Sequence, residues 1–181
     1  MFSLAKNLKL PGVTLAIGAT ALISSLIPGL RDVFSYDRNV PYELWRAITC
    51  HGVHWSGEHL FWSLGTFLGL GWLCESRGVK PFLIALAISA LIIPAALFLF
   101  QPQFLLYGGL SGLDSALFGL AAIGILQEKI AARDWNMVAI GAALLCAFIG
   151  KISYEFITSG AIFVSDMGGM IPVPLAHIVG I

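Results

Sequence analysis

The sequence predicts an all-α polytopic membrane protein, one domain over residues 1–181, built as a bundle of six transmembrane helices with the last one truncated. Three observations point there. Hydrophobic residues make up 58% of the chain and charged residues only 11%, where a soluble domain carries about 25% charged. The mean hydropathy of +0.89 is too high for a 19.4 kDa surface to face water, so lipid is the expected solvent. The charges gather in short clusters between apolar runs, as loops between spans do.

The chain opens with MFSLAKNLKLPG, whose two lysines ahead of an apolar run imitate a secretory signal. The run over residues 10–30 is long enough to span, however, and shows no small-residue cleavage site, so it reads as an uncleaved first span. Residues 31–57 form a long outer loop carrying Arg31, Asp32, Asp37, Arg38, Glu43 and Arg46. Its aromatic residues Phe34, Tyr36, Tyr42, Trp45 and Trp55 suit the headgroup zone. Further spans are expected at 58–73, 81–100, 111–126 and 135–154. From 81 to 113 there is no charge at all, too long a stretch for one helix, and Gln101-Pro102-Gln103 with Tyr107-Gly108-Gly109 break it. A loop rich in Gly and Pro runs from 158 to 174, and a last apolar run occupies 175–181. A crossing takes roughly 20 residues, so the last span is expected to continue beyond this sequence.

Orientation follows from counting Lys and Arg in alternate loops. Lys6, Lys9, Arg77, Lys80, Lys129 and Arg133 lie on the N-terminal side, against Arg31, Arg38, Arg46 and Lys151 on the other, six against four. The bias favours a cytoplasmic N-terminus. Ten basic and ten acidic residues cancel, so nothing points to nucleic acid. Cys50, Cys74 and Cys146 fall in separate segments without a CxxC, which gives neither a disulfide framework nor a cysteine metal site. Gly65 and Gly69 in one span, and Ala176 and Gly180 in the last run, have the small-xxx-small spacing of close helix contacts.

Ionisable and polar residues inside spans are costly, and are functional candidates by default. Ser111, Asp114, His59 and His177 stand out. Ser111 lies in GGLSGLDSALFG, where a glycine-rich turn meets a helix. Free amides at a helix start can stabilise an oxyanion, so Ser111 fits a nucleophile, and it equally fits an N-cap. His177, in ALAHIVG, is the one group in the second half of the chain suited to general base work near neutral pH; it also fits an interfacial helix end.

Together these residues resemble the rhomboid family. Gly109-Leu110-Ser111-Gly112 is similar to the family's GxSG at the start of a membrane helix, and Ala176-His177-Ile178-Val179-Gly180 to the AHxxG on its last core helix. Gly119 stands where the family has a packing glycine. Trp45-Arg46, His54 with His59, and Glu75 resemble further family motifs, all in the family's order over residues 42–181. The resemblance implies a serine intramembrane endopeptidase acting through a dyad, with Ser111 as nucleophile and His177 as base and then acid. It implies an oxyanion hole lined by His59 and the Ser111 backbone N–H, a loop-tying role for His54, and a bracing role for Arg46. It implies single-span membrane protein substrates, a lipid bilayer as surroundings, and no cofactor or metal.

Two departures stand out. Ser63 occupies the position of an Asn that commonly completes the oxyanion hole, and Ser115 replaces an aromatic that often stacks on the base. Three roles fit Asp114: accepting from His177 in a triad-like arrangement, bonding Ser63 or Thr66, or binding substrate. The form GLSGLDSALF and the short chain are most similar to the rhombosortase-type branch, which implies processing of C-terminal Gly-rich sorting tails in a bacterial inner (cell) membrane. The rival readings are a catalytically silent rhomboid-like protein that binds or escorts membrane helices, and a metal-dependent enzyme using His51, His54 and His59. HGVHWSGEH lacks the spacing of HExxH, which argues against the latter.

Overall fold

A computed structural model describes residues 10–158, 160, 162, 164, 165 and 172–181. Lys6 and Lys9 of the orientation count, and much of the loop expected between 158 and 174, lie outside the described residues. In chain order the elements are α1 (Gly12–Leu26), α2 (Leu30–Phe34), β1 (Tyr36–Asp37), α3 (Arg46–Thr49), a 3-10 turn (Cys50–Gly52), α4 (Gly57–Arg77), α5 (Val79–Phe100), β2 (Leu106–Tyr107), α6 (Ser111–Ala131), α7 (Trp135–Thr158) and α8 (Pro174–Gly180).

The first helix is shorter than the expected 10–30. Pro28 disfavours helical backbone at the residue before it, and Ile27 is extended with ψ 118°, so α1 stops at Leu26. Its start has no side-chain cap of its own. Glu75, from the end of α4, supplies one across the bundle: its carboxylate accepts from the N–H groups of Val13 (3.1 Å) and Thr14 (2.8 Å) and from the Thr14 hydroxyl (2.7 Å). Those amides would otherwise lack an acceptor.

The expected outer loop is more structured than a loop. It holds α2, α3 and the 3-10 turn, and its β1 pairs antiparallel with β2, Tyr36 opposite Tyr107, so the fold departs from all-α by one two-residue ladder. Arg46 braces it, donating to the carbonyls of Asp32 (2.7 Å) and Ser35 (2.9 Å) while pairing with Glu43.

Each long helix is set by its ends. Ser56 caps α4 by accepting from the His59 N–H at 3.1 Å. α5 contains Pro94, which has no N–H to offer the carbonyl of Ala90 one turn earlier. His51 makes good the loss: its Nε2 lies 3.1 Å from that carbonyl oxygen and donates to it. Asp134 caps α7, accepting from the Met137 N–H at 3.3 Å.

At the centre is α6, packed on α4, α5, α7 and α8. Phe67, Phe82, Ile93, Leu97, Leu110 and Leu117 fill the space between these helices. The exterior is apolar, with Ile140, Leu144, Ile149 and Ile157 all exposed on α7, a surface that lipid must cover. Among the described residues, α5 and α7 combine the length and apolarity of a crossing, with hydropathies of 2.7 and 1.8. α4 and α6 have 21 residues each but turn polar side chains inward.

The small-residue expectation holds for one pair only. Gly65 and Gly69 are exposed, with open space where a Cβ would be, so they make no helix contact. Ala176 and Gly180 are buried against α6, and a Cβ on Gly180 would collide with the carbonyl oxygen of Gly112.

Candidate active site

The site is assembled around the turn that leads into α6. Gly109 has φ +122°, a backbone region that L side chains rarely adopt, and a Cβ there would press on the His59 ring at 3.0 Å. The turn is held at two points. The Gly109 N–H donates to the carbonyl of Cys50 (3.0 Å), and the Leu110 N–H donates to His54 Nε2 (3.3 Å). Because that nitrogen accepts, the proton of His54 is on Nδ1, which faces the Ser25 hydroxyl at 3.2 Å. Burial, and then the neighbouring His59, push the His54 imidazole down to about 3, so it is neutral in this role. The His54 and His59 rings meet edge to face at 4.8 Å.

Ser111 is the first residue of α6, and its N–H belongs to the set with no acceptor inside the helix. It opens onto a cavity of about 260 Å³ shared by α4, α6, α7 and α8. His59 and Ser63 line this cavity from α4, Asp114 from α6, and His177 from α8. The turn and three helices therefore bring Ser111, His177, His59 and Ser63 to one space, whereas His54 and Arg46 do not line it.

His177 is fixed by a residue that the sequence reading passed over. Its Nδ1 lies 3.1 Å from Oε2 of Glu155 on α7, and Oε1 of the same carboxylate accepts from Lys151 Nζ at 2.7 Å. Glu155 is 3% exposed, in a helix whose other buried residue is Ile152. The acid beside the His177 Nδ1 is thus Glu155 and not Asp114. Asp114 is buried with no hydrogen-bond partner for Oδ1 among the described residues, so it also makes no bond through that oxygen to Ser63 or Thr66. Ser115 directs its hydroxyl to the Ser111 carbonyl at 3.0 Å. Lys151, set among the loop charges for orientation although it falls within the expected 135–154 span, lies on α7 and lines the cavity.

The three histidines of the metal reading have separate employments. His51 serves the Ala90 carbonyl, His54 serves the Leu110 amide, and His59 lines the cavity. What the site offers chemically is a hydroxyl at a helix N-terminus, an imidazole across the same cavity and helix-start amides beside them, the parts that acyl transfer requires.

The comparisons with known proteins bear on the same residues. A search of curated proteins finds no match. A family profile described as Rhomboid domain matches residues 41–181, a stretch that takes in Ser111, Glu155 and His177. That stretch is well over half of the chain, and on it the chain belongs to the rhomboid family.

Proposed function

We propose that this chain is an intramembrane serine endopeptidase that cuts membrane-anchored proteins at or near their spanning segment. The rhomboid family is generally one of such proteases, though some members are inactive. The observation that carries the reading is that Ser111, at the start of α6, and His177, on α8, line one cavity inside a bundle whose exterior is apolar.

In the proposed reaction the Ser111 Oγ attacks the scissile carbonyl carbon while its proton passes to His177 Nε2. The new C–O bond forces the carbonyl electron pair onto oxygen. The Ser111 N–H and His59 are the donors for that oxyanion, with the Ser63 hydroxyl as a further, shorter-reaching one. Collapse expels the amine, which takes the proton from His177 and leaves an ester on Ser111. Water, deprotonated by the same imidazole, then releases the acid and restores the serine.

Single-span proteins in the bilayer are the substrate class that suits a cavity bounded by membrane helices. The likeness of GLSGLDSALF to the rhombosortase-type branch supports C-terminal sorting tails as the particular target, in a bacterial inner membrane. With Lys151 assigned to α7, the loop count becomes six against three, which supports a cytoplasmic N-terminus more strongly.

The test is cleavage of a model single-span substrate in liposomes by wild type and by Ser111→Ala. Wild type should cleave and the variant should be folded but inert. Retention of more than about a tenth of the rate would contradict the assignment, since loss of a nucleophile costs orders of magnitude.

A further inference from the structure

A buried acid in the last turns of a lipid-facing helix needs a reason. α7 is apolar along most of its exposed length, yet it carries Lys151 and Glu155 one turn apart and buries the glutamate almost completely. Charged groups within a span are expensive and belong where they face a cavity or one another. Here they do both: each lines the cavity that holds Ser111, and each is the other's counter-charge.

The second oxygen of the carboxylate is directed at His177. A carboxylate can only accept, so the contact of 3.1 Å puts a proton on Nδ1 and leaves the lone pair on Nε2. That is the tautomer a base must have before it can take a proton from a serine. His177 is held on a helix packed against α5, α6 and α7, and the contact with Glu155 sets the direction of its ring. No aromatic side chain stands at Ser115 to stack on it, and the Ser115 hydroxyl is turned back to its own helix.

We infer that Glu155, anchored by Lys151, is the positioning residue of the site, so that Ser111, His177 and Glu155 work as one three-residue unit drawn from three helices. This rests on the Ser111–His177 reading above. The carboxylate fixes the tautomer and the direction of the imidazole, and it balances the imidazolium that forms when the serine proton moves. Asp114, though closer in sequence to Ser111, takes no part in it.

The experiment compares wild type, Glu155→Gln and Glu155→Asp in liposomes with a single-span model substrate, alongside the nitrogen-15 NMR spectrum of His177 and thermal unfolding of each protein. A glutamine can turn its amide donors toward Nδ1, which drives the proton to Nε2, the wrong nitrogen. Glu155→Gln should lower kcat by roughly 100- to 10,000-fold with KM within about threefold of wild type. Glu155→Asp, which keeps the charge at shorter reach, should recover about tenfold or more over the glutamine variant. The wild-type spectrum should show Nδ1 protonated, and the glutamine variant should lose that signature. If Glu155→Gln fails to fold, the wild-type spectrum and the aspartate variant still decide, and a wild type protonated on Nε2 overturns the inference. So does a glutamine variant that turns over within about threefold of wild type, since removing such an orienting group costs far more. A wild type that cleaves nothing overturns instead the endopeptidase reading, and the positioning role of Glu155 with it.

Discussion

His54 Nε2 accepts the Leu110 backbone N–H at 3.3 Å, so a histidine of the outer loop holds the peptide immediately ahead of Ser111. Only a neutral imidazole with its proton on Nδ1 can do this, and burial keeps the ring neutral down to about 3. His54 is a strut for the turn, not a proton carrier.

The strut makes stability depend on pH. In the unfolded chain His54 takes up a proton near its ordinary value of 6.5, while the folded form resists until about 3. The unfolded state therefore binds more protons between these values, and stability falls as pH falls through that window. Above 6.5 the contribution is fully present. The slope from this one group is at most about 1.4 kcal/mol per pH unit. His51, also held neutral by burial, acts in the same sense. His54→Gln, whose amide can accept from Leu110 and donate to Ser25, should lose less stability than wild type between pH 7.5 and 5. Equal losses in thermal midpoint would contradict the account.

The cap that Glu75 places on α1 predicts an effect on stability without an effect on chemistry. Its carboxylate serves two amides and a hydroxyl, and a neutral glutamine offers one acceptor oxygen in place of two. Glu75→Gln should cost about 1–2 kcal/mol of stability, read as a lowered midpoint, with unchanged turnover per folded molecule. A fall in turnover at full folding would show that the α1–α4 contact reaches the site.

The contact between Gly180 and Gly112 predicts an effect on both stability and chemistry. A methyl group at 180 meets a backbone carbonyl, and the Ser115 Cβ at 3.3 Å, so α8 must retreat and carry His177 with it. Gly180→Ala should destabilise by about 1–3 kcal/mol and reduce cleavage more than tenfold even where folded, since a base displaced by an ångström loses its reach. Gly150→Ala on α7, with open space around it, is the control and should gain up to about 1 kcal/mol. Equal effects of the two substitutions would remove the case for close α6–α8 packing.

Much of this architecture is legible in the apolar runs, and the reasons for what is not legible are physical. Helix starts such as Ser111 and Trp135 follow from the polar breaks before them. The end of α1 does not follow from hydropathy, because the backbone constraint of Pro28 overrides an apolar continuation. Gly65 and Gly69 show that small-residue spacing carries no information about which way a helix faces. The β1–β2 ladder has no sequence signal, since two residues are too few to show alternation. Glu155 had one: a Lys and a Glu four apart within an apolar helix is the pattern that marks an intramembrane site. A span expected over 135–154 stops one residue short of Glu155, and setting Lys151 among the loop charges hides its place within that same span. Ser111 and His177 are recognisable through their family motifs, and the Ala176/Gly180 spacing signals a close helix contact without telling that its partner is α6.

The central claim is that Ser111 is a nucleophile activated by His177. It is tested most directly by the intact mass of the protein after reaction with a fluorophosphonate in membranes, with peptide mapping of the adduct, for wild type and for Ser111→Ala and His177→Ala. The account predicts one adduct on wild type, mapped to Ser111, none on Ser111→Ala, and labelling of His177→Ala slowed by at least about a hundredfold, as expected when a base that acts as a unit with its nucleophile is removed. A wild-type adduct at another residue, or His177→Ala labelled as fast as wild type, would contradict it.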